Sequence, residues 1–249
     1  MAHLAGHERG AHSSRSLAKS VDSGRGMNIE QEQEFQKLAQ KHKFLQRALA
    51  VREKQDPKIT GYIVVDIETT GLDCRANDII EIAAVRVTES VDHFETFVKP
   101  SSQLPSHIQN ITGIHDNMLQ GAPQPADALA KFLDFAGDLP MVAHNAEFDL
   151  GFLRFHTFKE LTLKLQNRVI CTVKLARYLY PDLPNHKLDT VATALEVSAK
   201  SRHRAGGDAE TTLQVFQEMI GALSPRGFRT IEKIVALSEE LDERELAPF

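Results

Sequence analysis

The spacing of apolar residues changes along the central part of the chain, and this change predicts a mixed α/β fold. Three apolar, β-branched runs separated by short polar turns are typical of a three-stranded meander; they cover residues 62–68, 79–87 and 93–98. Further along, apolar residues recur every three or four positions, which predicts helices alternating with short strands. The helices cover 126–136, 146–161, 172–180, 188–195 and 209–220, and the short strands cover 141–144 and 168–171. Strands followed by such units imply a mixed sheet with helices packed on it.

Two flanking regions fall outside this compact domain, which we place at residues 59–224. Residues 1–26 lack the apolar segment of a secretory signal and predict a disordered leader, with Met27 as a second candidate start. Residues 27–58 predict a basic amphipathic helix, whose apolar stripe is Phe35, Leu38, His42, Leu45 and Leu49. We expect this helix to show a solvated face; an arm that binds a protein partner or a nucleic-acid backbone is the alternative. Residues 225–249 predict a helix with an acidic tail, which caps the core or frays at the surface; a docking tail is the alternative.

Composition excludes several classes of protein. The 249 residues are 42% hydrophobic, enough for one sizeable core. No window approaches the roughly 18 consecutive apolar residues of a membrane span, so we expect no membrane protein. The two cysteines, Cys74 and Cys171, cannot form a disulfide framework and fit a reducing interior, which predicts a cytoplasmic protein.

The net charge of −5 hides an asymmetry along the chain. Residues 1–58 carry 11 basic and 7 acidic residues, whereas residues 59–249 carry 18 basic and 27 acidic residues. A nucleic-acid binder with a broad basic surface would show the opposite balance in its folded domain. Any nucleic-acid chemistry is therefore expected to depend on a local site.

The first candidate for chemistry is a pair of acids at the end of an apolar strand. Asp66 and Glu68 are two residues apart in the run VVDIETTG, so both side chains point to the same face. Two like charges there favour a divalent cation between them, and oxygen ligands select Mg²⁺ or Mn²⁺. A solvated pair at a strand end explains the same pattern. The small residues that follow, up to Gly71, favour the metal interpretation because a substrate backbone can approach closely.

Two further groups lie at the ends of other predicted elements. In HNAEFD a short strand ends and a helix begins, which places Asp149 in the first helical turn; an ordinary first-turn acid is the alternative. His203 lies in a polar loop that leads to Asp208 at the start of the last core helix. A histidine in such a loop can take a proton at neutral pH. The basic residues around it either attract phosphate or only keep the loop soluble: Lys200, Arg202 and Arg204.

Together these groups follow the order D-x-E, D, H-x4-D, which resembles the DEDDh branch of the 3′–5′ exonuclease superfamily. That group includes the proofreading epsilon subunit of polymerase III and RNase T. The matching motifs are VVDIETTGL at 64–72, DIIEIAAV at 78–85, ITGI at 111–114, HNAEFD at 144–149 and HRAGGDAE at 203–210. The resemblance covers residues 60–222. His203 stands where the sister branch has tyrosine.

The resemblance implies a fold, a reaction and a set of site residues. The fold is ribonuclease H-like, a mixed five-stranded sheet flanked by helices. The metal ligands for two Mg²⁺ or Mn²⁺ ions would be Asp66, Glu68, Asp149 and Asp208. His203 would take the proton of the attacking water, and 5′-mononucleotides would be released. The residues that would bind or support the substrate are Thr69, Gly71, Leu72, His107, Thr112, His144, Asn145 and Phe148, the last with a core role as its alternative.

The substrate remains open between two nucleic acids. A DNA exonuclease acting on single-stranded 3′ ends is the favoured hypothesis, and an RNA-trimming enzyme of the RNase T kind is the alternative. These residues do not determine whether a 2′-OH is accepted or rejected. A binding module that keeps the exonuclease fold without catalysis is a third reading. It predicts the loss of at least one of the five core residues, and all five are present.

Overall fold

The computed structural model describes residues 61–198 and 203–246, and it contains a five-stranded sheet in the order β3-β2-β1-β4-β5. The strands are β1 (Tyr62–Thr69), β2 (Ile79–Val87), β3 (Val91–Phe97), β4 (Met141–Ala143) and β5 (Val169–Cys171). Strands β1, β2 and β3 are antiparallel neighbours, which confirms the predicted meander. β4 and β5 join β1 in parallel. The mixed sheet expected from the sequence is therefore confirmed.

Helices cover both faces of this sheet. They are α1 (Ser106–Thr112), α2 (Pro125–Ala136), α3 (Ala146–Leu161), α4 (Thr172–Leu179), α5 (Leu188–Ala194), α6 (Ala205–Leu223) and α7 (Ile231–Leu246). A single 3₁₀ turn, Ser224–Arg226, joins the last two. Within the described ranges, no helix is long and apolar enough to cross a membrane.

The alternation of side chains along β1 divides the core into two layers. Ile63 and Val65 pack with residues of α2 and α3. Tyr62 and Val64 point to the other face and pack with α4, α5, α6 and α7. Because side chains alternate along a strand, the even-numbered residues at the end of β1 face the layer that contains α6. This places Asp66 and Glu68 toward the start of that helix.

The C-terminal helix α7 belongs to the packed structure. Its residues Ile234 and Val235 are fully buried against the layer formed by α4 and α6. Ser238 accepts a hydrogen bond from the backbone N–H of Cys171 in β5 at 3.2 Å. Residues 231–241 therefore pack on the core.

Three sequence expectations differ from the structure. Helix α1 was not predicted; Ile108 and Thr112 are its buried residues, too few to produce an apolar stripe. Helix α6 begins at Ala205, four residues before the predicted start, although glycines at 206 and 207 disfavour helix. Strand β3 begins two residues early, at Val91. The predicted N-terminal helix at 27–58 lies outside the described residues.

Candidate active site

The candidate site is built where β1 ends. Asp66 and Glu68 project from the same face of the strand, and Glu68 is the cross-strand partner of Glu81 in β2. The register between β1 and β2 then shifts between Glu68 and Thr69. Such an irregularity bends a strand and is frequent beside functional sites. The chain leaves the sheet here, so both carboxylates lie at the sheet's carboxyl-terminal end.

Helix α6 brings a third acid to the pair. Asp208 lies in the first turn of α6, as predicted, and α6 packs across β1 and β2. Each of Asp66, Glu68 and Asp208 offers a carboxylate oxygen within 4.8 Å of the others' oxygens. Three acids separated by up to 142 positions in sequence therefore meet at one point.

Asp149 approaches this cluster from the opposite layer. It lies in the first turn of α3, directly after the turn that follows β4, and its side chain is only 4% exposed. Its carboxylate accepts hydrogen bonds from its own backbone N–H and from that of Ile67. Its charge also acts on Asp66. The structure thus places Asp149 beside the three-acid cluster but outside the 4.8 Å group.

Crowding changes the acidity of these groups. Burial, reinforced by the charges of Asp149 and Asp208, raises the pKa of Asp66 well above its usual range. Burial also raises the pKa of Asp149, against its backbone hydrogen bonds. The pKa of Glu68 rises to about 7 through burial and then through the charges of Glu81 and Asp208. Desolvated carboxylates that repel each other favour a bound cation, and their oxygen atoms are the ligands that hard divalent metals prefer. The donor set fits a divalent metal.

His203 lies at the exposed rim of the site. Its backbone has a left-handed conformation, with φ at 58°, which is uncommon for a residue other than glycine. Its backbone N–H donates a hydrogen bond to Oδ2 of Asp208 at 3.3 Å. The histidine and the third acid of the cluster are therefore linked through the first turn of α6.

His144 supports the loop between β4 and α3 from behind. Its Nε2 lies 2.9 Å from the carbonyl oxygen of His186, so this nitrogen carries the hydrogen. Its Nδ1 lies 2.9 Å from the hydroxyl of Thr172, which donates to it when the ring is neutral. Burial lowers the pKa of His144 to about 4, which keeps the ring neutral at ordinary pH. The next residue, Asn145, is exposed and has a left-handed backbone with φ at 63°.

The residues predicted to hold the terminal nucleotide lie in the turn after β1. The hydroxyl of Thr69 donates to the carbonyl oxygen of Gly71 at 2.7 Å, which closes the turn. A β-carbon at position 71 would lie 2.4 Å from Oδ1 of Asn77, so a larger residue there would have to displace the Asn77 side chain. Leu72 is 87% exposed, next to this turn.

The other predicted substrate residues are placed differently. Thr112 is only 4% exposed, and its hydroxyl donates to the carbonyl oxygen of Ile108 and accepts from the N–H of Ile114. Its side chain is therefore engaged at the end of α1, whereas His107 on the same helix is exposed. Phe148 is half-buried and packs against Phe152, with ring centroids 5.1 Å apart.

Sequence reasoning missed one pair that borders the site. Glu81 is completely buried and binds Arg204, whose Nη2 lies 2.6 Å from Oε1 of Glu81. The sequence predicts that Arg204 contacts phosphate or keeps the loop soluble, whereas in the structure its guanidinium is bonded to Glu81. A charged residue inside the apolar run of β2 was the signal available in the sequence, because such a residue is buried only with a partner. The partner lies 123 positions away.

Comparison with known proteins identifies relatives of this chain. The family model RNase_T, described as Exonuclease, matches residues 63–216. A DNA polymerase III PolC-type protein of Caldanaerobacter subterraneus subsp. tengcongensis is 42% identical over 192 residues, which cover 76% of this chain. The corresponding protein of Bacillus subtilis is 41% identical over 171 residues, or 68% of this chain. The chain spans about 14% and 12% of the length of these two curated relatives.

Solved structures share the fold. Exonuclease X in complex with 5′ overhanging duplex DNA has a TM-score of 0.57 at 23% identity, covering 71% of this chain and 99% of that one. Escherichia coli Exonuclease I in complex with a dT13 oligonucleotide has a TM-score of 0.60 at 19% identity, covering 71% of this chain and 46% of that one. At these identities the likeness establishes a common architecture.

Proposed function

This chain belongs to the exonuclease family, within the DEDDh branch of the 3′–5′ exonuclease superfamily, and we propose from this premise that it releases 5′-mononucleotides from single-stranded or frayed 3′ ends of DNA in a metal-dependent reaction. The observation that carries the proposal is the meeting of Asp66, Glu68 and Asp208 within 4.8 Å, with His203 bound to the same helical turn. Four buried or half-buried acids that repel one another are unfavourable without a bound cation, so a non-catalytic version of the fold is not expected to retain them.

The proposed metal ligands are the three clustered acids and Asp149. Their oxygen atoms would hold Mg²⁺ or Mn²⁺, and a bound pair of such ions would supply Lewis-acid activation of a water and stabilisation of the leaving 3′-oxygen. The raised pKa values of Asp66 and Glu68 mean that the acids release protons when they bind a cation. Cation binding is therefore expected to tighten as the pH rises.

His203 is proposed to act as the general base. Its side chain is exposed, so it can take a proton from a water at the site and pass that proton to solvent. Its backbone bond to Asp208 keeps it next to a metal ligand. The turn at Thr69 and Gly71, together with exposed Leu72, is proposed to receive the terminal nucleotide. Asn145 and His107, both exposed, are proposed as outer contacts to the strand.

DNA is favoured as the substrate by the relatives. The curated relatives are named as DNA polymerases, and both solved neighbours hold DNA. The net negative charge of residues 59–249 agrees with a substrate held at its end, because few phosphates then need neutralising. The N-terminal basic segment remains a proposed site for a protein partner.

Degradation of 5′-labelled single strands tests this proposal. DNA and RNA of equal sequence are incubated with the protein and Mg²⁺, Mn²⁺ or EDTA, and the products are separated on a sequencing gel. We expect a ladder that shortens by one nucleotide from the 3′ end with either metal, and none with EDTA. DNA should be degraded faster than RNA.

The other outcomes of this assay are equally specific. Faster degradation of RNA would replace the DNA proposal by an RNA-trimming function. No degradation of either strand with either metal would contradict the enzyme and favour a binding module.

A further inference from the structure

The start of α6 is held by a residue from another part of the chain. Arg204, the residue before the helix, makes no side-chain capping bond of its own. Instead the backbone N–H of Ala205 donates to Oε2 of Glu81 in β2 at 3.0 Å. Helix N-termini expose N–H groups and favour a negative charge, so a buried carboxylate there is an effective cap. Glu81 therefore caps α6 from the sheet.

The same carboxylate is bound by the arginine that precedes the helix. Nη2 of Arg204 donates to Oε1 of Glu81 at 2.6 Å, and Nε lies 3.2 Å from both oxygens. Bonds between ionised groups in this forked geometry are short and directional. Three N–H groups from two consecutive residues thus converge on one fully buried carboxylate. This fixes both the direction and the depth at which the chain enters α6.

The fixed point lies directly next to His203. The left-handed backbone of His203 is strained for a residue with a β-carbon, and such strain persists where the neighbouring structure imposes it. Arg204 and Ala205 supply that constraint on its C-terminal side. On the sheet side, Glu81 is the cross-strand partner of Glu68. Glu81 is therefore bonded to the two residues that follow His203, and it faces Glu68 across the two strands.

We propose that Glu81 and Arg204 are positioning residues, which act on catalysis by holding His203 in place beside Asp208. This inference rests on the proposed function, since it concerns the rate of the same reaction. Neither side chain needs to touch the substrate: Glu81 is inaccessible, and the guanidinium of Arg204 is occupied by Glu81 and lies 3.5 Å from Glu95.

The test is a double-mutant cycle between Arg204→Lys and His203→Ala. Lysine keeps the positive charge but cannot donate the pair of directed hydrogen bonds that the guanidinium gives to Glu81. The start of α6 therefore loses its fixed geometry. We expect Arg204→Lys alone to lower kcat on single-stranded DNA by about 10- to 100-fold, the scale of a misplaced catalytic group. KM for DNA should stay within about twofold of the parent value, since substrate contacts are untouched. In the His203→Ala background, Arg204→Lys should cause no further loss.

Two companion variants separate positioning from general stability. Arg168→Lys removes a comparable pair of hydrogen bonds, from Arg168 to Glu239. This pair lies next to the edge strand β5, and the variant should leave kcat unchanged. Glu81→Gln keeps the shape of the side chain and should also lower kcat when His203 is present; because the charge of Glu81 acts on Glu68 as well, the cycle is interpreted on Arg204→Lys alone. Melting temperatures, measured for every variant, set the assay temperature below the least stable one.

The outcomes distinguish the two claims. An unchanged kcat in Arg204→Lys and Glu81→Gln, or an equal loss with and without His203, would overturn the positioning role while the nuclease activity of the parent stands. An inactive parent protein would overturn the proposed function and, with it, the positioning role. A loss confined to the background that retains His203 is the predicted result.

Discussion

Replacing Glu68 with glutamine should stabilise the metal-free protein above neutral pH, even though it removes a proposed metal ligand. Burial and the charges of Glu81 and Asp208 raise the pKa of Glu68 from 4.5 to about 7. The folded protein therefore favours the protonated carboxyl, whereas the unfolded chain ionises it near the ordinary value. The protein loses stability through this group as the pH rises from about 4.5 to about 7, and the loss is complete above that range.

The size of the effect follows from the shift. A pKa raised from 4.5 to about 7 corresponds to about 3 kcal/mol of unfolding free energy. Glutamine cannot ionise, so the variant should exceed the parent in stability by a small amount near pH 4.5 and by about 3 kcal/mol near pH 8. The difference between the two proteins is the informative quantity. His144, whose pKa burial lowers to about 4, destabilises both proteins alike on acidification.

Urea unfolding in EDTA across this pH range measures the effect. The matched control is Glu89→Gln, an exposed glutamate in the turn between β2 and β3, for which no growing difference is expected. Mn²⁺ should then stabilise the parent more at high pH than at low pH, and stabilise Glu68→Gln less. A glutamine variant no more stable than the parent near pH 8 would refute the argument that these carboxylates are crowded and desolvated.

Three further changes have defined outcomes. Asp66→Ala should abolish DNA degradation while circular dichroism and the metal-free melting temperature show a folded protein; retained turnover would remove Asp66 from the metal site. His203→Ala should lower kcat by roughly 10²–10⁴, the usual range for a general base, and a variant as fast as the parent would exclude that role. Thr172→Val removes the donor to the buried ring of His144 and should lower the unfolding free energy by about 1–3 kcal/mol in urea, with no loss the contrary result.

The elements that sequence patterns predicted well are those whose burial is periodic. Strand β2 and helix α3 have the predicted bounds; β2 is a mainly apolar run, and the buried residues of α3 recur every three or four positions. Helix α1 buries only Ile108 and Thr112, so its helical character depends on local turns and leaves no stripe. Elements buried against the sheet leave a pattern of apolar residues in the sequence and were therefore predictable. A short surface helix such as α1 leaves no such pattern.

The site, too, contains residues that the sequence predicts and contacts that it does not. The first-turn position of Asp149 follows from the order of strands and helices, whereas Asp208, predicted at the start of a helix from 209, lies within the first turn of a helix that begins at Ala205. The early start of α6 and the cap from Glu81 depend on a contact across 124 positions, which no local pattern contains. The resemblance implies that Thr112 contacts the substrate, and a motif match does not reveal that its hydroxyl is bonded to Ile108 within α1.

The measurement that tests the account most directly is the identity of the first product from single-stranded DNA labelled in its 3′-terminal nucleotide. The parent protein with Mn²⁺ should release labelled 5′-mononucleotide before any longer fragment, while Asp208→Asn under the same conditions should release none. Label that first appears in an oligonucleotide, or release at the same rate in EDTA or by Asp208→Asn, would contradict a 3′–5′ exonuclease whose metal ions are held by this carboxylate cluster.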